Sequence, residues 1–205
     1  CNYVGGTYNA SCNVDEAVAV MEAARRFMRD HPDKSLGIAT MNSPQRDLIH
    51  VEMERLFLTD PTAEAYKQKW SGTLEPFFVK NLESVQGDER DAMFVSTVYG
   101  PNKDGQVMQR FGPINGKQGH RRLNVLFTRA KYNMVLFTSL RPNDIVTTQS
   151  SSMGLRALKG YLEYAYEGKL DAGEYTGHEP DSDFEVCVKE KLESIGCEVI
   201  PQVGV

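Results

Sequence analysis

Apolar residues fall at helical spacing over residues 15–30, at Val18, Met21, Ala24, Phe27 and Met28, and the same period returns over 45–57. The spacing predicts two amphipathic helices, the first capped by Asn13. Between them residues 35–41 form a short apolar run that closes on Asn42-Ser43-Pro44, which reads as a strand, a polar turn and the start of a helix. That unit places ligands at the carboxyl edge of a parallel sheet. Further short apolar runs at 77–80, 93–98 and 134–138 read as strands, and 62–70, 121–131 and 152–167 as helices, the last with Leu155, Leu158, Leu162 and Tyr166 on one side. Strands alternating with helices imply an α/β fold with a parallel sheet. Residues 99–119, rich in Gly, Pro and Asn, keep no period and read as a long surface loop or a hairpin, and loops of this length are often functional.

The carboxyl-terminal part breaks this pattern. Residues 168–181 are polar and acidic with few apolar positions and read as a linker. Beyond it, Phe184, Val188, Leu192 and Ile195 mark a helix, Gly196 stops it, and 197–203 begin a strand.

Composition narrows the function classes. The chain has 205 residues, 40% apolar and 25% charged, and a net charge of −5, which argues against a nucleic-acid coat protein. Basic charge is concentrated instead: residues 105–143 hold seven Lys or Arg and no acid. Three of these arginines, Arg121, Arg122 and Arg129, precede an apolar strand, and guanidinium groups on a rigid support suit phosphate recognition. No apolar run approaches the length of a membrane span and no signal peptide opens the chain, so the expectation is a cytoplasmic protein without a membrane partner. The polar opening, without Met, suggests a piece of a longer polypeptide. Cysteines at 1, 12, 187 and 197 lack the spacing of zinc sites and read as reduced thiols, with a metal clasp between the two ends as the lesser alternative.

The segment Val85-Gln86-Gly87-Asp88-Glu89-Arg90-Asp91, the strand after it, and Arg121-Arg122-Leu123-Asn124-Val125-Leu126-Phe127-Thr128-Arg129-Ala130 resemble motifs V and VI of superfamily 1 DNA/RNA helicases, in the branch related to the nonsense-mediated-decay helicase. Gly37-Ile38-Ala39-Thr40 with Asn42-Ser43-Pro44-Gln45 resembles motif IV, and Asn13 with Glu16-Ala17 resembles the start of the first helix of the family's second RecA-like domain. The resemblance implies a RecA-like, P-loop-NTPase-type parallel sheet flanked by helices over residues 1–167.

By position it makes Arg129 the arginine finger on the γ-phosphate of ATP, a group worth about 10³ to 10⁵ in rate. Glu89 takes the nucleotide ribose, with Gln86 and Gly87 as a tight strand-to-helix turn that brings it to the cleft. Arg122 and Asn124 fix the helix, and Gln45 couples the cleft to the other domain. Thr40, Ser96 and Thr97 at strand ends become nucleic-acid phosphate contacts, which position a strand without reading its sequence.

No G-x-x-x-x-G-K-[ST] occurs. In the resembling family that phosphate cradle and the Mg²⁺ carboxylates lie in the first RecA-like domain, so the resemblance makes this chain the second half of a motor, inactive toward ATP alone. ATP and Mg²⁺ are then cofactors of a full-length enzyme, no metal site is expected in this stretch, and the partners are its first RecA-like domain and single-stranded or duplex nucleic acid, DNA favoured. Residues 182–205 resemble the opening of a restriction-endonuclease-like domain of the very-short-patch-repair type, with Glu185 as an accessory to a metal site further on.

Competing readings remain at this level. Arg121 and Arg122 also suit solvated charges or partners of Glu89 and Asp91. Tyr66 and Trp70 suit packing better than base stacking, and Asp15-Glu16 suits the acidic first turn of a helix. The rivals to a motor are a non-catalytic RecA-like binding module and an accessory motor of a nuclease.

Overall fold

The computed structural model describes residues 1–168 and, beyond them, residues 190, 191, 193 and 194. Residues 1–168 form one compact unit. The four later residues are helical and exposed. Glu185 and the rest of the proposed nuclease-like stretch apart from these four residues, and the linker apart from Gly168, lie outside the described residues.

Five parallel strands form one sheet: β1 (Asn2–Tyr3), β2 (Leu36–Thr40), β3 (Phe78–Asn81), β4 (Arg90–Ser96) and β5 (Ala130–Thr138), in the order β1-β5-β4-β2-β3. Five helices flank it: α1 (Val14–Asp30), α2 (Ser43–Thr59), α3 (Pro61–Ser71), α4 (Gly119–Phe127) and α5 (Met153–Glu167). Alternation along the strands builds two cores, because successive side chains point to opposite faces. Ala92 and Phe94 of β4 and Phe137 of β5 pack with Val20, Ile49 and Tyr66 of α1, α2 and α3. Met93 and Val95 face the other way, onto Leu123 and Leu126 of α4 and Leu158 and Leu162 of α5. This is the expected α/β, RecA-like parallel sheet covered on both faces. No described helix is long and apolar enough to cross a membrane.

Helix ends are set by local chemistry. Asn13 and Asn42 cap α1 and α2 by accepting from the Glu16 and Gln45 amides, and Asp60 caps α3. Where α4 meets α5, backbone approaches backbone: a Cβ on Gly119 would sit 1.9 Å from the Ile114 carbonyl oxygen, and one on Gly154 would sit 2.1 Å from it.

Two elements differ from the sequence pattern. The single helix expected over 121–131 ends at Phe127, so Arg129 stands between helix and strand and Lys131 lies within β5. Thr128 Oγ1 bonds back to the Asn124 and Val125 carbonyls, and the Arg129 carbonyl accepts from the Arg90 amide of β4 at 3.1 Å, so sheet pairing takes over there. The turn at Gln86-Gly87 leads into strand β4 and not into a helix. β3 and β4 are parallel and lie on either side of β2, yet residues 82–89 join them without a helix, held down by the buried Leu82 and Val85. Gly87 adopts φ 86°, a left-handed conformation that costs glycine little.

Candidate functional site

The arrangement of strands sends the expected site residues to opposite edges of the sheet. Glu89 immediately precedes β4 and Arg129 immediately precedes β5, and these strands are hydrogen-bonded neighbours. Both residues, with Gln86 and Gly87, therefore lie at the amino rim. Thr40, Ser96 and Thr97 end β2 and β4, and Gln45 opens α2, so these four lie at the carboxyl rim. Seven residues of β4 separate the rims by about 20 Å. Sequence reasoning put Gln45 with the nucleotide residues and the ligand at the carboxyl edge; the fold separates Gln45 from Glu89 and Arg129, because it follows a strand while they precede one.

At the amino rim the charged groups are exposed or half-buried. Arg129 is half-buried, its Nε donating to the Val125 carbonyl at 2.8 Å and its Nη2 to Thr128 Oγ1 at 2.9 Å. It has no carboxylate partner among the described residues, so its charge stays available while its stem is held by its own helix end. Glu89 is 64% exposed, and its carboxylate lies 3.7 Å from Lys131 Nζ. Lys131 bonds more closely to Glu75, which raises the pKa of the lysine and, with a hydrogen bond from Ser35, lowers that of Glu75.

Beneath them Arg90 is buried and holds the rim in shape. Its guanidinium donates to the Pro76 carbonyl at 2.6 and 2.9 Å and to the Glu89 carbonyl at 2.5 Å, with Asp88 3.9 Å away. Burial works against its charge and lowers its pKa, opposed by Asp88 and Glu75. Arg122 donates to the Pro113 carbonyl at 3.2 Å and lies 3.5 Å from Glu83, so it ties α4 to the preceding turn. Arg121 is exposed, with no ion pair among the described residues.

The carboxyl rim is its chemical opposite. Thr40, Ser96, Thr97, Thr138 and Ser139 are buried, and one carboxylate, Glu16, lies among them fully enclosed. Ser96 Oγ donates to Glu16 Oε2 at 2.7 Å and the Val98 amide donates to the same oxygen at 2.8 Å. Thr97 Oγ1 donates to Thr138 Oγ1 at 3.0 Å and lies 3.4 Å from Glu16 Oε1, while Thr40 Oγ1 donates to the Asn42 carbonyl at 2.6 Å.

Gln45 brackets Asn13, accepting from its amide at 2.9 Å and donating to its carbonyl at 2.8 Å. The hydroxyls that the sequence offered as phosphate contacts are turned inward and bonded. Burial pushes the Glu16 carboxyl up to about 7 against the hydrogen bonds that favour its charge. Sequence reasoning took Glu16 as one more acid in a first turn; the strand end it reaches, 80 residues on, carries no local signal. Tyr66 is core, its hydroxyl donating to the Lys34 carbonyl at 2.6 Å, and Trp70 packs beside it. Among the described residues no group of His, Cys, Asp or Glu could hold a metal ion.

Residues 3–141 match the family model described as an AAA domain. The chain belongs to the AAA-domain family. Over 174 residues the chain is 33% identical to an uncharacterized ATP-dependent helicase of Mycoplasma genitalium and 31% identical to its homolog in Mycoplasma pneumoniae. Each alignment covers 83% of the chain but 15% of the relative, so the chain spans about 15% of the length of these curated relatives. Among solved structures it is similar to the C-terminal domain of a possible DNA helicase from a Lactobacillus, at 16% identity and a TM-score of 0.33, covering 78% of this chain and 84% of that one.

Proposed function

We propose that this AAA domain is the second RecA-like domain of an ATP-dependent superfamily 1 helicase. Its amino rim closes on ATP held by a first RecA-like domain of the same polypeptide, and its carboxyl rim serves single-stranded nucleic acid, DNA favoured. The observation that carries the reading is the pairing of Arg129 and Glu89 at one rim, their strands joined by the Arg90 amide on the Arg129 carbonyl at 3.1 Å. A guanidinium without a carboxylate partner among the described residues, on the strand next to that of an exposed carboxylate, is what a rim needs to meet a phosphate and a ribose hydroxyl together. Relatives named as ATP-dependent helicases support the same class.

Each group has a defined task in this reading. Arg129 places positive charge on the transferring phosphoryl oxygens, where charge spreads in the transition state. Its Nε and one Nη2 proton are engaged with Val125 and Thr128, and the other donors of the fork are those it turns to the phosphate. Glu89 accepts from the ribose, and Gln86 and Gly87 shape the turn that presents it. Bound ATP supplies the phosphoryl group; this rim offers a cation and a carboxylate but no phosphate cradle, so the grip on ATP and on Mg²⁺ belongs to the partner domain. The isolated chain is accordingly expected to be inactive toward ATP. Opening and closing of the two domains would move the nucleic-acid strand. Residues 182–205 are proposed to begin a nuclease-like domain.

Arg129→Ala in the full-length protein should leave ATP binding within about twofold and lower turnover by about 10³. Near-normal hydrolysis in that variant refutes the finger assignment.

A further inference from the structure

At the carboxyl rim two of the loops above the inward-facing hydroxyls are mostly exposed and touch each other. One runs over residues 5–12 and ends at Asn13; the other runs over 101–110, begins beyond Val98, and exposes Lys103 and Arg110. They touch where the Tyr8 amide donates to the Pro101 carbonyl at 2.9 Å. Their roots meet in one place. Asn13 caps the helix that bears Glu16, accepting from the Glu16 amide at 3.1 Å, and its Nδ2 lies 3.3 Å from Glu16 Oε1. Val98, whose amide donates to Glu16 Oε2 at 2.8 Å, adopts φ 69°. A β-branched residue in the left-handed region is strained and persists only where its surroundings impose it. Two bonds hold it there: the Tyr99 amide closes a tight turn on the Thr97 carbonyl at 2.8 Å, and the Glu16 carboxylate accepts from the Val98 amide, so that β4 ends and the chain turns toward the second loop.

We propose that Glu16 is the positioning residue of the nucleic-acid grip: one buried carboxylate fixes the roots of both carboxyl-rim loops, so that together they present Lys103 and Arg110 to the phosphates of a single strand. This deepens the motor reading and rests on it. The carboxylate itself stays out of reach of a ligand. What it supplies is geometry, by accepting from Ser96 and Val98 at the end of β4, 80 or more residues along the chain from its own helix. A glutamine at this position can keep an oxygen on Ser96 and Val98 while its nitrogen donates to Thr97 Oγ1, losing only the long contact from Asn13 Nδ2. An alanine keeps neither.

The test uses the full-length protein, with oligothymidylate as the nucleic-acid probe. Glu16→Ala should speed amide exchange at Val98 and Tyr8 by about tenfold or more, since both report the loop roots. It should also raise the oligothymidylate concentration for half-maximal ATP turnover by about tenfold, while turnover at saturating probe falls less than about twofold. Glu16→Gln should recover most of both effects. A Lys103→Ala, Arg110→Ala double variant should raise the half-maximal concentration without changing exchange at Val98, and it decides the matter if Glu16→Ala does not fold.

Unchanged exchange in Glu16→Ala, or an unchanged probe requirement in the double variant, overturns the proposal. A wild type whose turnover ignores oligothymidylate overturns the motor reading instead. In that case the exchange data alone judge the part assigned to Glu16.

Discussion

The two rims of one sheet, built from the same five strands, have opposite chemistry. The amino rim gathers Arg129, Glu89, Lys131 and Glu75, exposed or half-buried, with the Arg129 charge unmatched by any carboxylate among the described residues. The carboxyl rim gathers neutral hydroxyls and amides around one enclosed carboxylate, with every donor named above bonded within the domain. A polar group already satisfied in the fold has little left to give a ligand, because binding must first break what it has. The amino rim is therefore where phosphate chemistry can be offered, and the carboxyl rim is where shape is stored and handed to the loops above it.

The largest equilibrium effect that can sharpen this contrast comes from Glu16. Its carboxyl titrates at about 7 in the folded domain against about 4.5 when exposed, so between those values the native state binds more protons than the unfolded chain. Stability contributed this way is fully present below pH 4.5 and lost as pH rises to 7, amounting to about 3 kcal/mol across the window. The groups around the carboxyl, Asn13, Ser96, Thr97, Val98 and Ser139, are uncharged and add no titration of their own. Denaturant unfolding at several pH values should show this slope in the wild type and its absence in Glu16→Gln; equal slopes would place the buried charge elsewhere.

Smaller effects belong to the supports of the amino rim. Arg90→Met removes the donors that hold the Pro76 and Glu89 carbonyls, and unfolding should show a loss of about 2 kcal/mol. A loss no greater than a surface substitution gives would mean that the Glu89 turn stands without it. Gly87→Ala forces a Cβ into a left-handed conformation and should cost about 1 kcal/mol, with open space around the position leaving packing untouched. A neutral outcome there would show that the turn relaxes to another backbone geometry.

Much of this architecture was legible in the sequence, and the exceptions have physical causes. The helical period of α1 and α2, the Asn13 cap and the short apolar strands announced an α/β sheet, because burial on one face writes a period into the chain. The end of α4 was hidden, since Leu123 and Leu126 continue a helical stripe up to the point where pairing with β4 claims Ala130. The separation of Gln45 from Glu89 was hidden too, because adjacency at a rim depends on whether a residue precedes or follows its strand. Glu16 was the hardest to see. Its partners come from a strand end far along the chain, and its own neighbours present it as an ordinary acid in a first turn.

The claim on which the account turns is that Arg129 meets developing charge on the phosphoryl group and contributes little to ground-state binding. The most direct measurement compares the full-length protein and its Arg129→Ala variant in binding an ATP ground-state analogue and an ADP–metal-fluoride transition-state analogue. A group acting only at the transition state should weaken the second by about 10³ and leave the first within about twofold. Equal weakening of both analogues, or of neither, would contradict it.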